Sequence, residues 1–361
     1  MINNRIRFAL VGCGAITKKH IVSLKRIEKA EIAAVCDINP QAAERVASAY
    51  GLPFYTNPHE MAEKEQFEIF SILTPSGSHA ELISDLVRYD RHFVVEKPLS
   101  LRIEDADKVI TACDERGLKL FVVQQNRYNL PIRKLKEAIT KGRFGKMVMG
   151  TIRVRWRRDQ DYYNAKKWRG TWSQDGGVFT NQASHHIDML SWLMGDVDSI
   201  MAMTGTRLVN IEAEDTGVAI MRFRNGSLGV IEATTATRPK DLEGSISILG
   251  EGGSVEIGGF FMNELKTWQF AKPLPEDLTI FKEWGRNPDI WAWNHTEYLK
   301  DVVNSLFNGK GGVVDGLEGR KSLELINAMY ESSETKKMIP LRFLPHYCRL
   351  GMDRSNMEAV A

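Results

Sequence analysis

Apolar positions change rhythm along the chain, and the change divides it in two. From residue 1 to about 125, short apolar runs alternate with helical patterns. Within RIRFALVGCG (5–14), Ile6, Phe8, Leu10 and Val11 form a strand-like run that Gly12 and Gly14 break. Ile21, Leu24 and Ile27 then recur at helical spacing. The same reading predicts strands at 31–36, near Phe54, and at 69–73, 93–95 and 120–123. Helices are predicted at 40–50, 78–89 and 103–116, the first opened by Asn39 as cap and Pro40 in its first turn. Such β-α alternation argues for a parallel, doubly wound sheet, in which ligands bind outside the carboxyl ends of the strands.

After Gln124-Gln125-Asn126 the pattern becomes strand-rich. A helix at 131–141 is followed by strand-like segments at 147–156, 199–209, 216–223, 227–235, 243–249 and 254–257. Asn225-Gly226 and Gly252-Gly253 are hairpin signals between them. Helices return at 293–307 and 317–336. The expectation is an α/β Rossmann domain over 1–126 and an α+β domain with a large, mostly antiparallel sheet over 127–345. A tail without periodicity follows at 346–361.

Composition narrows the function. The 361 residues suffice for two cored domains, and 43% hydrophobic with 26% charged residues is ordinary for a globular chain. A formal charge of +2 calls for neither nucleic acid nor a membrane surface as partner. No apolar run approaches a membrane span, and Met-Ile-Asn-Asn-Arg leads straight into the first strand without a signal peptide. Cys13, Cys36, Cys113 and Cys348 lack metal or disulfide spacing, which points to reduced thiols and a cytoplasmic location.

Four places carry candidate chemistry. The Gly12–Gly14 turn between strand and helix lets a pyrophosphate reach the backbone and the helix N-terminus, although Thr17 stands where a third glycine is usual. Asp37, ending the second strand, is placed to accept hydrogen bonds from an adenosine ribose. Glu96-Lys97-Pro98 follows a buried strand, so its charged pair faces the ligand crevice, where a desolvated lysine suits acid–base work. In the segment 175–188, Asn181, His185, Asp188 and Trp192 fall on one face of a predicted helix, able to hold an imidazole against a sugar hydroxyl. His186 points elsewhere, as a structural residue. A metal at His185 and Asp188 finds no third ligand at a recognisable spacing, so none is expected.

The order and separation of Val11-Gly12-Cys13-Gly14, Glu96-Lys97-Pro98 and the Gly-Gly…Asn181…His185…Asp188 element resemble the Gfo/Idh/MocA (glucose–fructose oxidoreductase/inositol dehydrogenase) family of sugar dehydrogenases. The resemblance implies NAD as cofactor and a homo-oligomer, dimer or tetramer. It assigns hydride-transfer chemistry to Lys97 and His185. It implies cofactor contacts from Gly12, Gly14, Ala15, Ile16, Asp37, Thr74, Pro75, Ser76, His79, Glu96, Lys97, Gln125, Trp168 and Arg169. Substrate contacts are implied for Lys97, Arg127, Tyr163, Asn181 and His185. Asn181 stands where the family usually has an aspartate before the histidine, which leaves either Lys97 or His185 as proton acceptor.

Longer runs, FVVQQNRYN (121–129), DYYNAKKWRGTW (161–172), NQASHHID (181–188), NIEAEDTG (210–217) and LEGSISILGEGGSVEIGG (242–259), are similar to a subgroup, the UDP-N-acetylglucosaminuronate 3-dehydrogenases. There an asparagine before the histidine is normal. The subgroup's activity is oxidation of the sugar C3 hydroxyl, on the way to sugars of bacterial surface polysaccharide such as lipopolysaccharide O-antigen. An anionic nucleotide sugar wants cations, and Arg127, Lys166, Lys167 and Arg169 lie in these segments. Arg153, Arg155 and Arg157 alternate on one strand face that meets solvent or another subunit. The competing readings are a dehydrogenase of a free polyol such as myo-inositol, and a non-catalytic sugar-nucleotide sensor on the same fold.

Overall fold

The computed structural model describes residues 5–288, 291–309 and 314–341. Strands β1 (Ile6–Val11), β2 (Ala30–Cys36), β3 (Phe54–Tyr55), β4 (Ile69–Ile72), β5 (His92–Val95) and β6 (Leu120–Val122) form a parallel sheet. Its order is β3-β2-β1-β4-β5-β6, so the chain reverses direction across the sheet between β1 and β4. Residues 69–72 and 93–95 are fully buried because helices cover both faces, which is why these strands read as unbroken apolar runs. The crossovers are α1 (Thr17–Lys25), α2 (Pro40–Tyr50), α3 (Pro58–Lys64), α4 (His79–Leu86) and α5 (Ile103–Glu115). α2 starts as expected: the Asn39 side chain accepts from the Ala42 N–H, and Pro40 occupies the first turn.

α6 (Leu130–Thr140) leads into the second sheet, and α7 (Gln160–Asn164) and α8 (Ser184–Met194) follow its first strand. That sheet holds β7 (Met147–Arg155), β8 (Val197–Gly205), β9 (Thr216–Phe223), β10 (Leu228–Thr234), β11 (Glu243–Gly250), β12 (Gly253–Gly258), β13 (Glu264–Phe270) and β14 (Ile339–Pro340). The order is β13-β12-β11-β7-β10-β9-β8-β14, antiparallel throughout except for the β7–β10 pair. The fold is thus a Rossmann-type sheet joined to a mostly antiparallel one. β13, β14, α3, α7 and the one-turn α9 (Ile280–Glu283) are additions to the sequence-based expectation.

One face of the second sheet is covered by α6, α8 and α11 (Gly316–Thr335), around a core that includes Ile152, Val154, Ile187, Leu190 and Ile326. Among the described residues no helix covers the other face. Met201, Met203, Val218 and Ile220 are exposed on it, beside the ion pairs of Arg155 with Glu232 and Glu243. α10 (Trp293–Asn308) returns to the first sheet: its Tyr298, Leu299, Val302 and Val303 join the cluster of Phe8, Leu10, Ile21 and Leu24. A helix that follows residue 126 in sequence thus packs with the first sheet. The expected tail, with Cys348, lies outside the described residues. Cys13, Cys36 and Cys113 are unpaired and buried. Among the described residues no helix is long and apolar enough to cross a membrane.

Candidate active site

β1 ends in a turn that only glycine permits. Gly12 has φ of +104°, and a Cβ there would stand 2.7 Å from the Leu73 backbone at the end of β4. Thr17, in place of a third glycine, closes the same turn: its Oγ1 donates to the Gly12 carbonyl at 2.7 Å. α1 begins without a side-chain cap and without an acidic residue in its first turn, so its leading N–H groups suit an anion. Gly14, Ala15 and Ile16 form the approach to it, and nothing stands within 4 Å of a Cβ at Gly14.

The Asp37 carboxylate accepts from the Cys13 N–H at 2.7 Å through Oδ2 and from the Asn39 N–H at 2.8 Å through Oδ1. Each oxygen retains a lone pair for a ribose hydroxyl, so glycine turn, helix end and carboxylate fit a dinucleotide.

Thr74, Pro75 and Ser76 form the turn after β4, where the Ser78 hydroxyl donates to the Thr74 side chain at 2.8 Å. A loop of the second domain lies directly on this turn, with the Gly77 N–H donating to the Gln174 carbonyl at 3.0 Å. His79, expected at the cofactor, has both ring nitrogens on backbone carbonyls, those of Pro98 at 2.8 Å and Thr74 at 2.9 Å. It is buried and ties the two strand-end turns together, leaving no nitrogen for a ligand.

Glu96 is buried at the end of β5, where its Oε1 lies 2.8 Å from His20 Nε2 and 4.0 Å from His295 Nε2. Burial alone would raise its carboxyl, but the His20 hydrogen bond and the surrounding imidazoles bring it down to about 2. Next to it, Lys97 Nζ donates to the Asn181 carbonyl at 2.7 Å, across from one domain to the other. Burial pulls the Lys97 ammonium below its usual range, opposed by the Glu96 and Asp175 carboxylates.

His185 stands on α8 between two glutamines. Its Nδ1 faces Gln124 Oε1 at 3.0 Å, and its Nε2 faces the Gln125 amide nitrogen at 3.0 Å. This pairing assigns the proton to Nδ1 and a lone pair to Nε2. Burial, and then the Lys97 charge, keep the imidazole well below its usual pKa, so it is neutral at neutral pH.

Asn181 lies in the turn before α8 and not on the helix, which starts only at Ser184. Its amide donates to Asp175 Oδ1 and does not touch His185. Burial, the largest influence on Asp175, pushes that carboxyl up to about 6.

Two residues expected at the substrate, Arg127 and Tyr163, do not line the cleft. Arg127 is buried, held by Asp188 through two bonds of 2.7 Å and by Glu318 at 3.1 Å, and stacked on Trp192. Each guanidinium nitrogen already donates to a carboxylate, and the side chain does not line the cleft. Tyr163 turns inward to Thr235 at 3.1 Å, and its neighbour Tyr162 faces the cleft instead. Trp168 and Arg169 lie in the turn after α7, where the Arg169 guanidinium sits 4.0 Å from the Tyr162 ring centroid.

Lys97, Gln125, Asn181 and His185 are brought together on one cleft of about 200 Å³. Its remaining walls went unanticipated. Lys19 comes from α1, Trp156 and Arg158 follow β7, and Phe260 and Phe261 follow β12. Gln124, under the imidazole, was legible as a polar residue at a strand's carboxyl end but was passed over.

Comparison with known proteins agrees with this geometry. Residues 6–124 match the Gfo/Idh/MocA oxidoreductase family's NAD-binding Rossmann fold, and residues 136–341 match its C-terminal alpha/beta domain. The chain is 42% identical to the WlbA dehydrogenase from Bordetella pertussis, solved in complex with NADH and UDP-GlcNAcA. That match covers 95% of this chain and 100% of the other, with a TM-score of 0.91. It is 26% identical over 349 residues to the myo-inositol 2-dehydrogenase of Thermotoga maritima, covering 93% of this chain and 98% of the relative. It is 24% identical over 355 residues to the D-apiose dehydrogenase of Paraburkholderia graminis, covering 94% and 91%. With both halves matched across a cradle that fits NAD, this chain belongs to the Gfo/Idh/MocA family of NAD-dependent oxidoreductases.

Proposed function

We propose that the chain oxidises the C3 hydroxyl of UDP-N-acetylglucosaminuronic acid to the 3-keto sugar, as a step towards bacterial surface polysaccharide. The observation that carries this reading is the 42% identity, over 95% of the chain, to a dehydrogenase solved with NADH and UDP-GlcNAcA. The matches to inositol and apiose dehydrogenases are far weaker, at 26% and 24%. Both Lys97 and His185 stand in the cleft, which argues against a silent sensor.

NAD, when bound, accepts the hydride from C3. The chain's own groups manage the oxygen. Lys97 Nζ donates to the C3 oxygen in addition to the Asn181 carbonyl and steadies its growing negative charge. The C3 hydroxyl takes the place of the Gln125 amide at His185 Nε2, whose lone pair then receives the hydroxyl proton. An imidazole of low basicity serves here, because the hydroxyl proton becomes strongly acidic as hydride leaves. Gln124 keeps the other nitrogen protonated, and Glu96, anchored by His20, steadies the base of the Lys97 turn. Thr74, Pro75, Ser76, Trp168 and Arg169 line the nicotinamide end.

The open, apolar face of the second sheet supports a further part of the reading, that two copies of the chain pair through it.

The test is turnover. The enzyme reduces NAD with UDP-N-acetylglucosaminuronic acid, and Lys97→Ala and His185→Ala each lower kcat by about 10²- to 10⁴-fold while NAD affinity survives. Turnover of myo-inositol with no binding of the nucleotide sugar would overturn the substrate. Near-normal turnover by both variants would overturn the site.

A further inference from the structure

Three cations line the cleft, and they are not equivalent. Lys97 Nζ is engaged by the Asn181 carbonyl at 2.7 Å. Arg158 donates to the Arg157 carbonyl and lies 3.4 Å from the Asp241 carboxylate. Lys19 is half-buried and, among the described residues, makes no side-chain hydrogen bond or ion pair; its ammonium stands 5.2 Å from the Phe261 ring centroid. Burial pulls its pKa below the usual lysine range. Glu96 opposes this from nearby, but that carboxylate is already committed to His20 at 2.8 Å. A desolvated ammonium without an anion is costly, and a site that keeps one is built to receive an anion from outside.

We propose that Lys19 receives the C6 carboxylate of the sugar and so decides between a nucleotide-linked uronic acid and the corresponding neutral hexose. This rests on the nucleotide-sugar reading above. The stereochemistry of a pyranose supplies the rest. With C3 at Lys97 and His185, the two anion-bearing ring carbons, C5 with its carboxylate and C1 with its diphosphate, are both two ring positions away, on opposite sides. One arm therefore points to each flank of the bound ring.

The two cations left for those arms stand on the two members of the Phe260–Phe261 pair. Lys19 lies over Phe261, and Arg158 lies 6.0 Å from the Phe260 centroid. The carboxylate arm is short and stays inside. The diphosphate carries the uridine and must leave through the mouth. Lys19 lies on α1 directly before His20, which grips Glu96, and so belongs to the inner, reacting end. Arg158, already shared with Asp241, is the outer cation and suits the diphosphate.

The experiment compares dissociation constants for UDP-N-acetylglucosaminuronic acid and UDP-N-acetylglucosamine, measured calorimetrically on the full-length enzyme saturated with NADH. The enzyme should favour the uronic acid by about 10- to 100-fold, the worth of a charge-assisted hydrogen bond. In Lys19→Met that preference should collapse to near unity through loss of uronic-acid affinity alone, with hexose and NADH affinities unchanged. Lys19→Arg should keep most of the preference.

Equal weakening of both sugars by Lys19→Met would move Lys19 to the diphosphate, and a loss confined to NADH would move it to the cofactor. A preference that survives Lys19→Met, or is absent from the unmodified enzyme, overturns the proposal while the functional reading stands. If the unmodified enzyme binds neither nucleotide sugar, that reading falls and takes the proposal with it.

Discussion

In the proposed mechanism Gln124 holds the proton on the far side of the reacting imidazole, and removing it should cost more than one hydrogen bond. In Gln124→Leu the His185 Nδ1–H loses the acceptor that stands 3.0 Å away. Leaving that donor buried and unpaired is worth about 1–3 kcal/mol, enough to move the proton to Nε2. The neighbouring side chain makes the shift easy. Gln125 Oε1 is buried with no partner, so rotation of that amide would turn a waiting acceptor towards an Nε2–H. The imidazole would then present a hydrogen, not a lone pair, to the C3 oxygen.

We expect kcat to fall by about 10²-fold or more, within the range for a lost general base. NAD affinity should be unchanged. Gln124→Glu supplies a carboxylate that keeps Nδ1 protonated and favours the imidazolium. The acid limb of kcat/KM should therefore move up towards neutral pH, with activity recovered above it. Both follow from NADH absorbance between about pH 5 and 9, bracketing the histidine range. A Gln124→Leu enzyme within about threefold of the unmodified one, on an unchanged pH profile, would refute the proton assignment.

Asp37→Ala should weaken NAD and narrow its advantage over NADP, since the carboxylate repels a 2′-phosphate; equal use of both cofactors by the unmodified chain would sink the assignment. Glu214 is buried beneath the Gly176-Gly177 turn, accepting from the Phe179 N–H at 2.9 Å and the Tyr330 hydroxyl at 3.0 Å, and burial pushes its carboxyl up to about 7. The folded state holds this proton above the pH at which the unfolded chain releases it, so stability should fall as pH rises from about 4.5 to about 7, by up to about 3 kcal/mol. Glu214→Gln should flatten that slope in urea titrations, and an identical slope would remove Glu214 as its source. Light scattering at micromolar concentration should give a mass well above the 40.9 kDa chain. Ile220→Glu, on the open sheet face, should lower it, and a monomer before mutation would refute the pairing.

Local features were readable because their partners are close in sequence. The Gly12 turn, Asp37 and the Glu96-Lys97 pair each announce themselves within a strand and its following turn, and parallel strands put such turns on one edge. What failed was long-range. Arg127 looked like an open cation because Asp188 and Glu318, 61 and 191 residues away, cannot be seen beside it. The spacing to His185 puts Asn181 one turn earlier on the same helix, but residues 178–182 form turns and the helix opens only at Ser184. Tyr163 and Tyr162 exchanged roles because α7 has only five residues, too short for periodicity to say which side faces in. Lys19 sits on an amphipathic helix with no local signal of a role, and the ring beside it, Phe261, comes from the other domain.

The buried fork of Arg127 on Asp188 and Glu318 has a consequence for how this architecture changes occupants. Asp188 lies one turn beyond His185 on α8, and Arg127 lies just beyond Gln124 and Gln125. The fork therefore keeps imidazole and glutamines in register with no help from the sugar. The residues proposed to recognise the sugar are borne elsewhere: Trp156, Arg158, Phe260 and Phe261 after strands of the second sheet, Tyr162 on α7 and Lys19 on α1. Reaction and recognition thus ride on separate mounts. A change of sugar would then need new side chains on those walls alone, with the fork left as it is.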